Sequence, residues 1–201
     1  MEPILFSSIP LSPKIPDIYR ALGYSTEKTV VKDSFKKELN QYIEEARGYI
    51  DLKGTALSLP IKMIEKSNVI LENDVVFKSQ NLANFLKGSV EIFFMGATAG
   101  KVIMEKVAEK FAENNFTCAV VYNAVAGEMA DEALTWITNY FRQQMTRKGL
   151  AIGSRRFSVG YGDLSIEYQK IIWELLKLEN IGVTITEECF LIPEKSVTAI
   201  C

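Results

Sequence analysis

The sequence predicts an α+β fold, with several long helices packed on a mostly antiparallel sheet in one domain spanning residues 1–201. Three observations predict it. Strand-like and helix-like stretches are interspersed without the regular alternation of a doubly wound parallel sheet. Two segments, 34–49 and 127–145, carry strong helical spacing of apolar residues. The composition, 48% hydrophobic and 24% charged over 201 residues, supplies enough apolar material for one sizeable core.

Residues 4–8 read as a short strand. "PKIPDIYRALGY" is broken by proline at first and then helical, with Gly23 as its stop. Ser34 is a fair N-cap for a helix to Tyr49, in which Phe35, Leu39, Tyr42, Ile43, Ala46 and Tyr49 recur at helical spacing. Thr55 to Ile64 and Val75 to Phe77 read as strands. Ser79 caps a brief helix to Leu86, closed by Gly88. "VEIFFM", Val90 to Met95, has the unbroken apolar run of a strand buried on both faces, and Lys101 to Ala112 is a helix. "FTCAVVYNAVA" is rich in β-branched residues, yet flows into "GEMADEALTWITNYFRQQM"; one long helix, kinked at Gly127, accounts for both. Ala151 to Phe157 reads as a strand. Ser165 caps "IEYQKIIWELLK", with Ile166, Ile171, Ile172, Leu175 and Leu176 inward. The tail, "GVTITEECFLIPEKSVTAI", reads as two strands joined through Pro193, Glu194 and Lys195. There is no internal repeat or linker.

Charge and composition remove whole classes of function. The 23 basic and 25 acidic residues give a net charge of -2, so no basic excess points to nucleic acid or an anionic membrane. "MEPILFSSIPLS" lacks the basic region of a secretory signal, and no apolar run reaches the length of a membrane span. Cys118, Cys189 and Cys201 are odd in number and form no CxxC pair, as expected of reduced thiols in a cytoplasmic protein. The sequence contains no histidine. That excludes Ser-His-Asp and Cys-His catalysis and imidazole metal ligation. It leaves binding modules and reactions whose partners arrive already activated.

Two glycine-containing stretches are candidates for chemistry. "EIFFMGATAGKVI" has the strand, glycine and lysine order of a phosphate loop. Gly96 to Gly100 is one residue too short, and Val102 stands where magnesium needs Ser or Thr, so an ordinary turn with a solvated Lys101 is expected. "SRRFSVGYGDLS", Ser154 to Ser165, has more to offer. An arginine fork matches a carboxylate, Gly160 and Gly162 let backbone approach a ligand, and Tyr161 offers a ring face to a cation. A surface turn whose arginines pair with carboxylates explains the same residues equally well.

"RFSVGYGDLSIEYQKIIWELL", followed by "IGVTITEECFLIPEKSVTAI", resembles the activation domain of cobalamin-dependent methionine synthase, in the standalone form that accompanies a synthase lacking that domain. The resemblance rests on Arg-x-x-x-Gly-Tyr at Arg156 to Tyr161, "WELL" at Trp173 to Leu176, G-x-x-x-T-E at Gly182 to Glu187 and P-x-x-S-V at Pro193 to Val197. Residues 79–201 carry it and residues 1–78 do not.

The resemblance implies a curved fold with a twisted antiparallel sheet and long helices. It implies an S-adenosylmethionine-binding reactivation subunit, without turnover alone, that supports reductive methylation of cob(II)alamin to methylcobalamin. Its partners would be a cobalamin-binding methionine synthase and a flavodoxin-like electron donor. Without histidine this chain has no imidazole for the cobalt, so the partner would hold the cobalamin. Carried onto matching positions, Arg156 meets the ligand carboxylate, the backbone of Ser158 and Gly160 approaches the ligand, and Tyr161 lines the groove. Asp131 falls near an acidic contact, with Glu128 and Glu132 as alternatives, and no residue is implied to be catalytic or to bind metal. Arg155 is expected in a surface ion pair. Trp173 is expected in the core.

The chain departs from the fused family pattern in three places. Its "GDLSIEYQK" loop is shorter and lacks the Cys and His found there. It reaches Cys201 before the tyrosine pair that closes the groove in fused enzymes, and an acidic contact near the N-terminus has no match. These departures motivate the alternative of a non-catalytic corrinoid-protein interaction module that has lost the ligand.

Overall fold

The structure is a computed structural model that describes residues 2–24, 32–147 and 149–201. In chain order its elements are β1 (Ile4–Phe6), α1 (Ile15–Ala21), α2 (Asp33–Tyr49), β2 (Lys53–Glu65), β3 (Asn68–Leu71), β4 (Val76–Lys78) and α3 (Gln80–Phe85). There follow β5 (Glu91–Thr98), α4 (Lys101–Ala112), α5 (Phe116–Arg147), α6 (Tyr168–Leu176), a 3₁₀ turn (Leu178–Ile181), β6 (Thr184–Ile185), β7 (Leu191–Ile192) and β8 (Ser196–Ile200).

The fold is mixed α+β and its strand pairs are antiparallel. The main sheet has six strands in the order β4-β3-β2-β5-β8, with β1 also on β2. Residues 1–78 thus supply four of its strands, although none of them carries the sequence resemblance. β6 and β7 form a separate hairpin.

Both faces of the sheet are covered. Ala56, Phe93, Met95 and Ala199 face a core shared with α2, α4 and α5. Their neighbours Leu57, Ile92, Phe94 and Ile200 face a second core with α3, α6 and the 3₁₀ turn. This alternation explains why "VEIFFM" shows no polar gap: a strand buried on both sides needs apolar residues at both parities.

Two glycines on neighbouring rungs let the helices come close. Gly54 pairs with Ala97, and Thr55 with Gly96. A Cβ on Gly54 would lie 2.7 Å from Ile137 Cδ1 of α5. A Cβ on Gly96 would lie 2.7 Å from Leu178 Cδ2 on the opposite face. Beside it the Thr55 hydroxyl donates to the Leu176 carbonyl at 3.0 Å, satisfying a buried group at the end of α6.

Several boundaries differ from the sequence expectation, each for a local reason. β3 is an additional strand. It follows a two-residue turn at Lys66 and Ser67, where Lys66 takes a left-handed conformation (φ 52°) without the usual glycine signal. Ala151 to Phe157 is not a strand, because only Phe157 finds a ladder partner, Ile200 of β8. α2 begins at Asp33, so Ser34 lies inside it and does not cap it. α6 begins at Tyr168, and Ser165 instead accepts from the Glu167 N–H. Ile166 lies outside the helix and is exposed. The first tail strand splits into the β6–β7 hairpin. Residues 116–147 form one helix that passes through Gly127, begun by Asn115, whose side chain accepts the Cys118 N–H.

Gly54→Val and Gly96→Val should each lose about 1–3 kcal/mol by overpacking, measured by urea denaturation. Gly48→Ala, which meets open space in the last turn of α2, should show no such loss.

Candidate functional site

The loop between Phe157 and α6 is a compact turn with fixed ends. Phe157 exchanges two backbone hydrogen bonds with Ile200 at 2.8 and 2.7 Å, and its ring packs on Phe85. Val159 and Leu164 are buried on either side, and the Gly160 N–H donates to the Leu164 carbonyl at 2.8 Å. Gly160 and Gly162 both have positive φ, and a Cβ on Gly162 would strike the Asn81 side chain at 2.2 Å. The glycines therefore serve the turn and its docking on α3.

Asp163 locks that docking. Its carboxylate accepts from the Ser79 hydroxyl and from the N–H groups of Gln80 (2.7 Å) and Asn81 (3.2 Å), at the start of α3. The hydrogen bond from Ser79, and then those from Asn81 and Gln80, hold its carboxyl below the usual carboxylate range. Tyr161 is left projecting, 70% exposed.

An open groove of about 760 Å³ lies beside this turn. Arg156, Ser158, Tyr161 and Asp131 all line it. The Arg156 guanidinium donates to the Asp131 carboxylate at 2.7 Å and to the Asp131 carbonyl at 3.1 Å. Of the acidic trio on α5, Asp131 is the one that meets Arg156. Glu132 pairs with Lys14 at 2.6 Å. Glu128 lies with Asp17 and Lys14 beside a different cleft, its carboxyl raised by burial and by the charges of Asp17 and Asp131. The Ser158 hydroxyl donates to the Thr198 carbonyl at 3.1 Å, tying the turn to β8. Gly160 is not among the lining residues and acts through the turn's shape.

The sequence reading did not single out Phe190, Ile192, Gln169 or Thr198, which also line the groove. Phe190 is 65% exposed. It is raised by a tight loop in which Thr186 N donates to the Phe190 carbonyl and Thr186 Oγ1 accepts the Phe190 N–H. The available signal was Thr186 four residues before an aromatic, in a stretch that read as one strand.

Elsewhere the residues have plainer duties. Gly96 lies inside β5, and Lys101 pairs with Glu105 at 3.0 Å in the first turn of α4, so no phosphate loop exists there. Arg155 makes no ion pair among the described residues and rests over the Phe85 ring instead. Trp173 is half-buried, its indole N–H donating to the Val183 carbonyl at 2.8 Å. The three cysteines are free, and burial pushes the Cys118 thiol up and Cys201 to about 11, which keeps both protonated at neutral pH. Among the described residues no helix is long and apolar enough to cross a membrane.

No protein-family profile and no curated protein matches the chain by sequence. Its structure is similar to the crystal structure of the MetH reactivation domain bound to AdoHcy, with a TM-score of 0.69 and 15% identity. The match covers 100% of this chain and 80% of that one. The chain has the fold of that reactivation domain.

Asp163→Ala should lower the melting temperature at neutral pH. A depressed carboxyl adds stability above its unfolded value, and that stability is lost as pH falls through the folded value. The gap between variant and parent should therefore close when melting is followed to well below the ordinary aspartate value of about 3.9.

Proposed function

We propose that this chain is an S-adenosylmethionine-binding reactivation subunit of a cobalamin-dependent methionine synthase. The observation that carries the reading is the convergence of Arg156, Asp131, Ser158 and Tyr161 on one groove of a reactivation-domain fold. The neighbour with that fold was crystallised with AdoHcy, the demethylated form of the same ligand.

The residues fit such a ligand. A groove of about 760 Å³ lies within the usual range of small-molecule sites, roughly 300–1,000 Å³. Arg156 spends two donors on Asp131 and has others left for a carboxylate. Tyr161 presents an exposed ring suited to a sulfonium. S-adenosylmethionine would supply an electrophilic methyl group to the partner's cobalamin, once a flavodoxin-like donor had reduced it, and would leave as S-adenosylhomocysteine. No proton has to move in that transfer, so a chain without histidine is adequate to it. Its residues bind, orient and exclude water. Ile166, Phe190 and Ile192, exposed around the groove, form an apolar rim on which the cobalamin-bearing partner would seat.

The same rim also suits a corrinoid-protein interaction module without a small ligand. Partner binding that ignores S-adenosylmethionine and survives Arg156→Ala would favour that reading. Calorimetric titration with S-adenosylmethionine decides the matter. The parent should bind, and Arg156→Ala should lose on the order of 2–5 kcal/mol, enough to abolish detectable binding. No binding by the parent overturns the proposal.

A further inference from the structure

Helix α6 sends Gln169, Ile172 and Leu176 inward, at the spacing of a core stripe. Ile172 and Leu176 belong there. Gln169 is a polar residue in an apolar position, only 5% exposed. Its Oε1 accepts the Thr198 hydroxyl of β8 at 3.0 Å. Among the described residues its Nε2 is the one buried side-chain nitrogen or oxygen without a hydrogen-bond partner. Turning the amide over would not remove the mismatch, since Oε1 would then be left over. Buried polar groups are nearly always paired, and an unpaired one needs an explanation.

Its location supplies one. Gln169 and Thr198 both line the groove that holds Arg156, Asp131 and Tyr161. Thr198 is itself fixed, its carbonyl accepting from Ser158. A neutral donor is thus held from β8 on a residue that lines the same groove as the charged pair. Charged groups of a ligand have Arg156 and Asp131 to meet. The uncharged N–H is matched to an uncharged acceptor.

We propose that Gln169 is a specificity residue of the groove, its Nε2 donating to a ring nitrogen or hydroxyl oxygen of the ligand's nucleoside. This rests on the function proposed above. The unpaired donor then persists in the free protein because the ligand completes it.

Gln169→Met keeps the length and removes both polar atoms. Titrated with S-adenosylhomocysteine, it should bind about five- to tenfold more weakly than the parent. Its own melting temperature should change little, because the unpaired buried amide is gone while the Thr198 hydroxyl loses its acceptor. In the ¹⁵N-labelled parent the Gln169 side-chain amide resonances should shift on adding S-adenosylhomocysteine, a readout that needs no variant to fold. Equal affinity with a lowered melting temperature would make the amide a structural group and overturn the inference. Unmoved amide resonances on saturation would overturn it too. Parent binding that requires Arg156 but ignores Gln169 overturns this inference alone. No parent binding overturns it together with the proposed function.

Discussion

The close contact of the two helical layers with the β2–β5 pair sets the terms for the rest of the molecule. At Gly54 the sheet admits Ile137 of α5, and one rung away, on the other face, Gly96 admits Leu178. Side chains at either place would lift a layer from the sheet and open voids that a close-packed interior cannot tolerate. With both layers seated, α5, α6 and β8 bring their groove residues together. α5 carries Asp131 to Arg156, and α6 brings Gln169 to Thr198 of β8. The turn between Phe157 and α6 only has to bridge two surfaces already fixed.

That turn shows how glycine and charge can be read for function and yet serve structure. Gly162 fits against Asn81, and Asp163 satisfies the first N–H groups of α3 together with the Ser79 hydroxyl. A surface turn and a ligand pocket were open alternatives for the stretch, and its residues divide between the two duties. Gly160, Gly162 and Asp163 build the turn, while Arg156, Ser158 and Tyr161 face the groove. A rigid frame holding a few projecting groups is the arrangement that ordered binding requires.

Much of the fold was legible because the relevant signals are local. Ser79 capping α3, the two-sided apolar run of β5 and the helical stripe through Phe116 to Arg147 all speak through nearby residues. Tertiary partners decided the remainder. Lys66 adopts a turn conformation that its type does not announce, so β3 was hidden. Residues 151–156 read as strand but have no neighbouring strand to pair with. In the groove, Arg156 and Tyr161 stood out as a charged fork and an aromatic in a glycine-rich loop, and the resemblance added their roles. Phe190 and Gln169 did not, because one stood in a hairpin loop that read as strand and the other on a helix face that read as core. Which acidic residue meets Arg156 depends on the rotation of α5, which its packing against the sheet and against α1, α2 and α4 sets.

The pairing of Arg156 with Asp131 also determines what kind of charge the groove can retain. Its cation is already compensated by a carboxylate and a carbonyl. A simple anion can reach the donors that Arg156 leaves free, but the Asp131 carboxylate beside them opposes it. A dipolar molecule brings a cation for Asp131 as well as an anion for Arg156, and so meets both members of the pair. A pair of this kind favours separated charges within one molecule over a lone inorganic anion.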